Sequence, residues 1–332
     1  MKFTKQALQI DAAPEVNRIV TELRRTVRQV MRRFGGVVGI SGGVDSAVVL
    51  GLAVRAFGPD KVTAVMMPEK DSDPLSERLA RQLAERFGVA PVLENLTPIL
   101  EGFDCYQRRD EAIRRVVPEY DGRSGYKAKI VLPPDLLDEG TLSVFSLTVI
   151  TPDGQQISKP LPAPEFLQIV AASNFKQRTR MSMLYYHAEL KNYAVLGTAN
   201  KNEHDQGFFV KYGDGGVDVQ TIGHLYKTQI YQLAEYLDVP EAIRKRTPTT
   251  DTYSAPCNQQ EFFFRLPFET MDLLWYAQER GVSPADAAQV MGLTDKQVEH
   301  AFDDFTRKQR GTAYLRMAPV PIASADAVGT AA

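Results

Sequence analysis

The residues with the clearest chemical meaning form one short turn, GISGGVDSAVVL, from Gly39 to Leu50. The turn follows an apolar run and leads into a helical pattern, so it reads as strand, glycine turn and helix. Ser41, Gly42 and Gly43 can turn the chain tightly and present backbone N–H groups to an anion at a helix N-terminus. This context predicts a phosphate-binding turn.

Asp45 lies inside the same turn, although a carboxylate would repel a bound phosphate. A divalent cation between the two removes that conflict, so Asp45 predicts Mg²⁺ and a polyphosphate. The turn lacks the Gly-Lys-Ser/Thr ending of a Walker A loop, and its glycine spacing does not fit a dinucleotide fingerprint. A purely structural glycine turn is the alternative interpretation.

Two later segments carry charge where a nucleotide enzyme would need it. In GTANKNE, Thr198 follows a core strand and can hydrogen-bond a nucleotide, while Glu203 can supply a second carboxylate to Mg²⁺. Lys227 begins a predicted helix, where the helix dipole disfavours a cation. We therefore expect Lys227 to bind an anion.

A third charged segment, NFKQRTRM from 174 to 181, lies on a predicted helix. Lys176, Arg178 and Arg180 are too close in sequence to share one helical face, so at least one of these cations must face inward. An inward arginine beside a phosphate turn would hold an anion. The alternative is three solvated charges.

The composition limits the possible functions. The chain has 332 residues, 44% hydrophobic residues and a formal charge of −2, which predicts a globular protein without general affinity for nucleic acid or anionic membranes. Its two cysteines, Cys105 and Cys257, form neither a disulfide framework nor a zinc motif. The N-terminus has no apolar signal region and no apolar run approaches ~18 residues, so we expect a cytoplasmic protein.

Apolar periodicity then indicates the elements that position these residues. Helices are predicted at 16–31, 46–57, 74–87, 166–191 and 227–237, and strands at 61–67, 90–93 and 193–197. This alternation predicts an α/β fold, a doubly wound and mostly parallel sheet with helices on both faces. Ligands of such sheets bind at the carboxyl ends of the strands, where the Gly39 turn lies.

The alternation of helices and strands is interrupted at about 101–165. We interpret this segment as an insertion that contains a β-hairpin with its turn at Asp153-Gly154. The C-terminal part is predicted to be helical, at 267–280, 284–291 and 294–308. Acidic residues on the last two helices argue against docking on DNA. We expect a single domain over residues 1–318 and a mobile tail at 319–332.

In this context the turn resembles the S-G-G-x-D-S pyrophosphatase loop of the N-type ATP pyrophosphatases. Further blocks resemble the ammonia-dependent NAD synthetases in order: N-x-K-x-R-x-R-M, G-T-x-x-x-x-E, G-F-F-x-K-x-G-D-G-x-x-D, L-x-K-x-Q and P-T-x-D. The resemblance covers about residues 15–95 and 165–310. It implies that a carboxylate of deamido-NAD attacks ATP to form an acyl-adenylate, which ammonia converts to the amide of NAD.

The resemblance also implies roles for individual residues. ATP would be held by Gly39, Ile40, Ser41, Gly42, Gly43, Val44, Asp45, Ser46, Thr198, Lys227 and Thr249. Asp45 and Glu203 would bind Mg²⁺ and, with Lys227, act in catalysis. Deamido-NAD would contact Arg178, Phe208, Lys211 and Asp218. The family further implies a homodimer. About 38 residues precede the turn, too few for a glutaminase domain, so we expect free ammonia or a separate ammonia-supplying protein.

The chain departs from the family pattern on the substrate side. Thr250 and Thr252 replace apolar residues, and the usual C-terminal His-Lys pair is missing from Thr306–Arg316, where Lys308 and Arg310 are candidate replacements. Two alternatives therefore stay open. One is an amide ligase of the same adenylation chemistry with another carboxylate; the other is a non-catalytic nucleotide-binding regulator, which the pair of carboxylates disfavours.

Overall fold

The computed structural model describes residues 3–133, 136–137, 145–249 and 252–322. Thr250 and the part of the predicted tail at 323–332 lie outside these residues. Within the described ranges, none of the helices combines the length and apolar character needed to span a bilayer.

The elements alternate along the chain as predicted. The helices are α1 (Ala12–Arg25), α2 (Val44–Phe57), α3 (Pro74–Arg86), α4 (Thr97–Gly102), α5 (Cys105–Val116), α6 (Ala163–Lys191), α7 (Lys201–Gln206), α8 (Lys227–Tyr236), α9 (Glu241–Arg244), α10 (Phe268–Glu279), α11 (Pro284–Met291) and α12 (Asp295–Gly311). The strands are β1 (Gly36–Gly39), β2 (Val62–Met66), β3 (Val92–Leu93), β4 (Lys127–Val131), β5 (Ser146–Ile150), β6 (Gln156–Pro160), β7 (Ala194–Gly197) and β8 (Val219–Gln220).

A five-stranded sheet lies at the centre, in the order β3-β2-β1-β7-β8, and each of its pairs is parallel. Alternate side chains of each strand reach opposite faces of the sheet. Val38 packs into a core with α1, α2 and α8, whereas its neighbour Val37 packs with residues of α6. The predicted doubly wound α/β fold is therefore confirmed.

The predicted insertion contains more structure than a hairpin. The hairpin of β5 and β6 is present, but β4 pairs with β5 and completes a three-stranded antiparallel sheet. The helix α5 precedes this sheet and packs along α6. Between the predicted strand at 193–197 and the predicted helix at 227–237, the structure adds α7 and the two-residue strand β8. Both elements are too short to leave a periodic pattern in the sequence.

A buried charge cluster ties the insertion to the central sheet. Lys176 of α6 lies 2.9 Å from Glu69 Oε1 and 2.7 Å from Asp71 Oδ2, and Arg109 of α5 also binds Asp71. Burial opposes the ionisation of Asp71, but the two cations outweigh it and lower its pKa. The inward cation expected from the segment at 174–181 is thus a lysine, and protein carboxylates are its partners.

We expect Lys176→Met to destabilise the fold strongly. Removal of the ammonium takes from buried Glu69 its cationic partner and leaves Asp71 with Arg109 alone, which costs about 3–5 kcal/mol in the free energy of unfolding. Urea denaturation of both proteins measures this difference. Lys245→Met is the control, because Lys245 forms an exposed i,i+4 pair with Glu241 worth about 0.5 kcal/mol or less. Equal losses in the two variants would contradict a structural role for the cluster.

Candidate active site

One large cavity opens at the carboxyl ends of the central strands. Its volume is about 840 Å³, in the upper part of the range of about 300–1,000 Å³ that is usual for small-molecule sites. Fourteen of the residues predicted for the site line it: Gly39, Ile40, Ser41, Gly43, Val44, Asp45, Ser46, Arg178, Thr198, Glu203, Phe208, Lys211, Lys227 and Thr249. The remaining two predicted residues, Gly42 and Asp218, lie outside this lining.

The glycine turn is held in one conformation by its own residues. Gly42 has a φ of +73°, and a Cβ there would lie 2.6 Å from the backbone oxygen of Ser76. The N–H of Gly43 donates to Ser41 Oγ at 3.3 Å, and Ser46 Oγ donates to the Gly43 carbonyl at 3.1 Å. Among the described residues, no side chain caps α2 at Gly43. Its first-turn N–H groups are therefore available to an anion, as the phosphate prediction requires.

Three charged residues meet beside this turn because each lies in the first turn of a helix. Asp45, Glu203 and Lys227 belong to α2, α7 and α8. These helices follow β1, β7 and β8, which are neighbours in the sheet. The Lys227 ammonium donates to Asp45 Oδ2, so at least one anion that Lys227 binds is a carboxylate of the protein itself.

Glu203 is held through both of its carboxylate oxygens. Oε2 accepts from the N–H of Asn200 at 3.2 Å, and Oε1 accepts from Gln259 Nε2 at 3.1 Å. Burial and the neighbouring Asp45 raise the pKa of Glu203 to about 8. Burial opposes the charged form of Lys227, but Asp45 and Glu203 outweigh it and raise the pKa of the ammonium.

This donor set suits Mg²⁺ that is shared with a bound polyphosphate. Two carboxylates repel each other here, and a cation beside them would relieve that repulsion. Mg²⁺ typically takes one or two protein carboxylates and completes its coordination with water and phosphate oxygens. In the part of the chain that the structure describes, no cluster of three or more His, Cys, Asp or Glu residues could hold a metal ion.

Three polar residues that the sequence did not single out position the charged group. The side chain of Asn200 donates to Asp45 Oδ1 at 3.0 Å and accepts from the backbone N–H of Glu203, while the backbone N–H of Asn200 donates to Glu203 Oε2, so one residue contacts both carboxylates. Its Asn-x-x-Glu spacing is a capping-box pattern and could have revealed it. Gln259 and the buried Asp272 come from distant segments, and no local pattern marks them.

Asp272 lies on α10 and joins two of the helices that carry site residues. It accepts from the side chain of Asn202 on α7 and, at 2.7 Å, from the N–H of Thr228 in α8. Burial raises its pKa to about 6. Asp272 thus fixes the first turn of α8, from which Lys227 reaches Asp45.

Three of the four residues predicted for the substrate, Arg178, Phe208 and Lys211, line the cavity. Arg178 lies on α6, and Phe208 stacks on Phe263 with ring centroids 5.0 Å apart. Lys211 Nζ donates to two C-terminal carbonyls, those of Tyr314 at 2.9 Å and Met317 at 2.8 Å. The C-terminal turn therefore forms the part of the cavity wall next to Lys211.

Asp218 is bound within the fold. Its Oδ2 accepts from the N–H of Val195 at 2.8 Å, and its Oδ1 accepts from the hydroxyl of Tyr185 at 3.0 Å. A direct contact between Asp218 and the substrate stays a prediction.

The two candidate replacements for the C-terminal pair do not line the cavity. Lys308 binds Asp304 at 2.8 Å and the carbonyl of Phe263 at 2.9 Å, and Arg310 is exposed. Burial lowers the pKa of Lys308. The C-terminal residues that do line the cavity are Gly311, Thr312, Tyr314 and Leu315.

The family model described as NAD synthase matches residues 15–118 and 150–311, which is most of the chain. The chain belongs to the NAD synthase family. The segment that the family model leaves unmatched, 119–149, lies inside the predicted insertion at 101–165.

Two relatives that resemble this chain over nearly its whole length have the same name. The chain is 48% identical over 318 residues to the NH(3)-dependent NAD(+) synthetase of Rhizobium rhizogenes, covering 96% of this chain and 95% of the relative. It is 49% identical over 313 residues to the protein of the same name from Mesorhizobium japonicum, covering 94% and 97%. The NH3-dependent NAD synthetase structure from Campylobacter jejuni has a TM-score of 0.61 at 23% identity, covering 95% of this chain and all of that one, which supports the fold.

We expect Asp272→Asn to change how stability depends on pH. The pKa of Asp272 rises from its usual 3.8 to about 6 in the folded protein. Between these values the native state retains a proton that the unfolded chain has released, so the wild-type free energy of unfolding falls as pH rises, on the order of 2–3 kcal/mol in total. The variant lacks this contribution.

Urea denaturation of wild type and variant from pH 4 to 7 measures the effect. The free energy of unfolding of the variant, minus that of the wild type, should increase with pH and level off above about 6. Asp303→Asn, at an exposed position of α12, controls for the change in net charge. A difference that stays constant over this range would contradict the protonation of Asp272.

Proposed function

We propose that this protein is a ligase that amidates deamido-NAD to NAD, with ATP and ammonia as co-substrates and AMP and pyrophosphate as further products. The observation that carries the proposal is the meeting of Asp45, Glu203 and Lys227 beside the phosphate turn. It is supported by relatives of about 48% identity, over nearly the whole chain, that are named NH(3)-dependent NAD(+) synthetases.

In the first step a carboxylate oxygen of deamido-NAD bonds to the α-phosphorus of ATP, and the bond to the β-phosphate breaks. The N–H groups of the Gly43 turn and the ammonium of Lys227 stabilise the negative charge that builds on the departing phosphates. Asp45 and Glu203 would hold Mg²⁺, which supplies further neutralisation of those phosphates when bound. Ammonia then attacks the acyl carbon, AMP leaves and the amide forms.

The acceptor occupies the end of the cavity that Arg178, Phe208 and Lys211 line. The guanidinium and the ammonium bind its phosphates, and the Phe208 ring packs against an apolar part of the molecule. The proposed ATP-binding turn follows β1, whereas the proposed acceptor residues lie on α6 and after α7.

We further propose a homodimer. Tyr186 and Leu190 are one turn apart on α6 and are 56% and 66% exposed. Phe34 is 62% exposed, and its N–H donates to the carbonyl of Asn192 just beyond that helix. A second subunit would cover this apolar surface. Both cysteines are buried, and no disulfide joins them among the described residues, which suits the proposed cytoplasmic location.

The proposed activity is tested by incubating the purified protein with Mg-ATP, ammonium and deamido-NAD. We expect NAD and AMP to form in equal amounts, and glutamine in place of ammonium to give none. Ammonia would then be free in the cell or come from a separate protein. AMP production with a different carboxylate, and none with deamido-NAD, would sink the NAD synthetase activity in favour of another amide ligase.

We expect Asp45→Asn and Glu203→Gln to lower pyrophosphate release on the order of 10²-fold or more, because placement of the metal and of Lys227 is lost. The rate is measured at saturating Mg-ATP and deamido-NAD, with circular dichroism to confirm folding. Asp205→Asn is the matched control, since Asp205 is on the same short helix as Glu203 but outside the cavity lining. Turnover near the wild-type rate in both site variants would show that these carboxylates are not the metal ligands.

A further inference from the structure

The insertion and the first turn of α6 each contribute one aromatic side chain to the cavity. Phe145 lies at the start of the hairpin, in the segment that the family model leaves unmatched, and Phe166 lies in the first turn of α6. Both line the cavity, and their rings stack with centroids 4.5 Å apart and an angle of 23° between the planes. Neither ring is fully buried, although each also packs against the core of the insertion.

These two rings continue an aromatic surface that ends at the proposed substrate residues. Phe145 lies 6.4 Å from Phe262 between ring centroids, and Phe262 lies 5.8 Å from Phe208. All four residues line the cavity. The surface therefore runs without interruption from the insertion to the ring that we assign to the acceptor.

The backbone at both positions is held by regular structure. The carbonyl of Phe145 accepts from the N–H of Leu161 at 2.9 Å, which extends the pairing of the hairpin, and the N–H of Phe166 donates to Pro162 at the start of α6. Phe166 precedes Arg178 by twelve residues, about 18 Å along the helix axis. An extended dinucleotide whose phosphates bind Arg178 can place one of its rings near Phe166.

We propose that Phe145 and Phe166 form a specificity-determining wall of the acceptor site, where a planar aromatic ring of the acceptor packs against their rings. This inference rests on the proposed function, and it assigns a role to two residues, Phe145 and Phe166, to which the proposed function gave none. Aromatic side chains favour flat heterocyclic rings because each face of such a ring can stack on theirs. The insertion thereby selects acceptors that carry a ring at this distance from the phosphates.

The test substitutes each phenylalanine by leucine, which keeps apolar volume and removes the flat ring. We expect Phe145→Leu and Phe166→Leu to raise the KM for deamido-NAD about 5- to 20-fold and to leave the KM for ATP within about 2-fold. Phe166→Tyr, which keeps the ring, should retain a near wild-type KM. Equilibrium dialysis with labelled deamido-NAD, without ATP or ammonium, should show the same loss of affinity independently of turnover.

Phe103→Leu is the matched control. Phe103 also belongs to the insertion and stacks on Phe175, at 5.4 Å and 17°, but it does not line the cavity. This variant should keep the wild-type KM for both substrates. An unchanged KM and unchanged dialysis in both cavity variants, or an equal change in Phe103→Leu, would overturn the proposal and make the stacked pair a packing feature only.

Two further measurements complete the test. If the wild-type protein forms no NAD, the proposed function is refuted. If the wild-type protein forms NAD and the leucine variants keep its KM for deamido-NAD, only the role of Phe145 and Phe166 in acceptor binding is refuted. Nicotinate mononucleotide, used as a shorter acceptor, identifies the ring. If its binding also weakens in Phe166→Leu, the pyridine ring lies at the wall, and if only deamido-NAD binding weakens, the adenine ring does.

Discussion

The group formed by Asp45, Lys227 and Glu203 is the constraint on which the rest of the site depends. Two carboxylates and one ammonium lie together with little access to water. Loss of the ammonium would leave buried negative charge without a partner, and loss of the carboxylates would leave the buried ammonium without one. The N-termini of the three helices that carry these residues must therefore lie close together. The adjacent parallel strands β1, β7 and β8 bring them together, because all three strands end at the same edge of the sheet.

A layer of buried polar side chains holds these three helices in position relative to one another. Asn200 contacts both carboxylates, Gln259 holds Glu203, and Asp272 joins α7 and α8 from the side of α10. Because each of these side chains has only a few partners within reach, a shift of any one helix would leave a buried polar group unsatisfied. The three charged residues are thus held in place by the fold itself, as the proposed binding of a polyphosphate requires.

The proposed acceptor end draws on further segments, among them α6, the insertion and the C-terminal turn. The charge cluster of Lys176, Glu69 and Asp71 joins α6 to the loop after β2, and Arg109 brings in the insertion. The C-terminal turn supplies two carbonyls to Lys211. Specificity for the acceptor can therefore vary through the insertion and the C-terminus while the adenylation chemistry stays in place.

Local patterns in the sequence were enough to predict the parallel sheet and the glycine turn. They were also enough to predict that Asp45, Glu203 and Lys227 belong to a nucleotide-binding site. These predictions depend on single elements, because the periodicity, capping or charge of an element can be recognised in a few consecutive residues. Only the tertiary structure decided what depends on contacts between distant segments. The third strand of the insertion, the carboxylate partners of Lys176, the role of Asp272 and the placement of Asp218 against Val195 belong to this class. A hydrogen bond or ion pair between remote residues leaves no periodic trace, because its geometry exists only once the chain has folded.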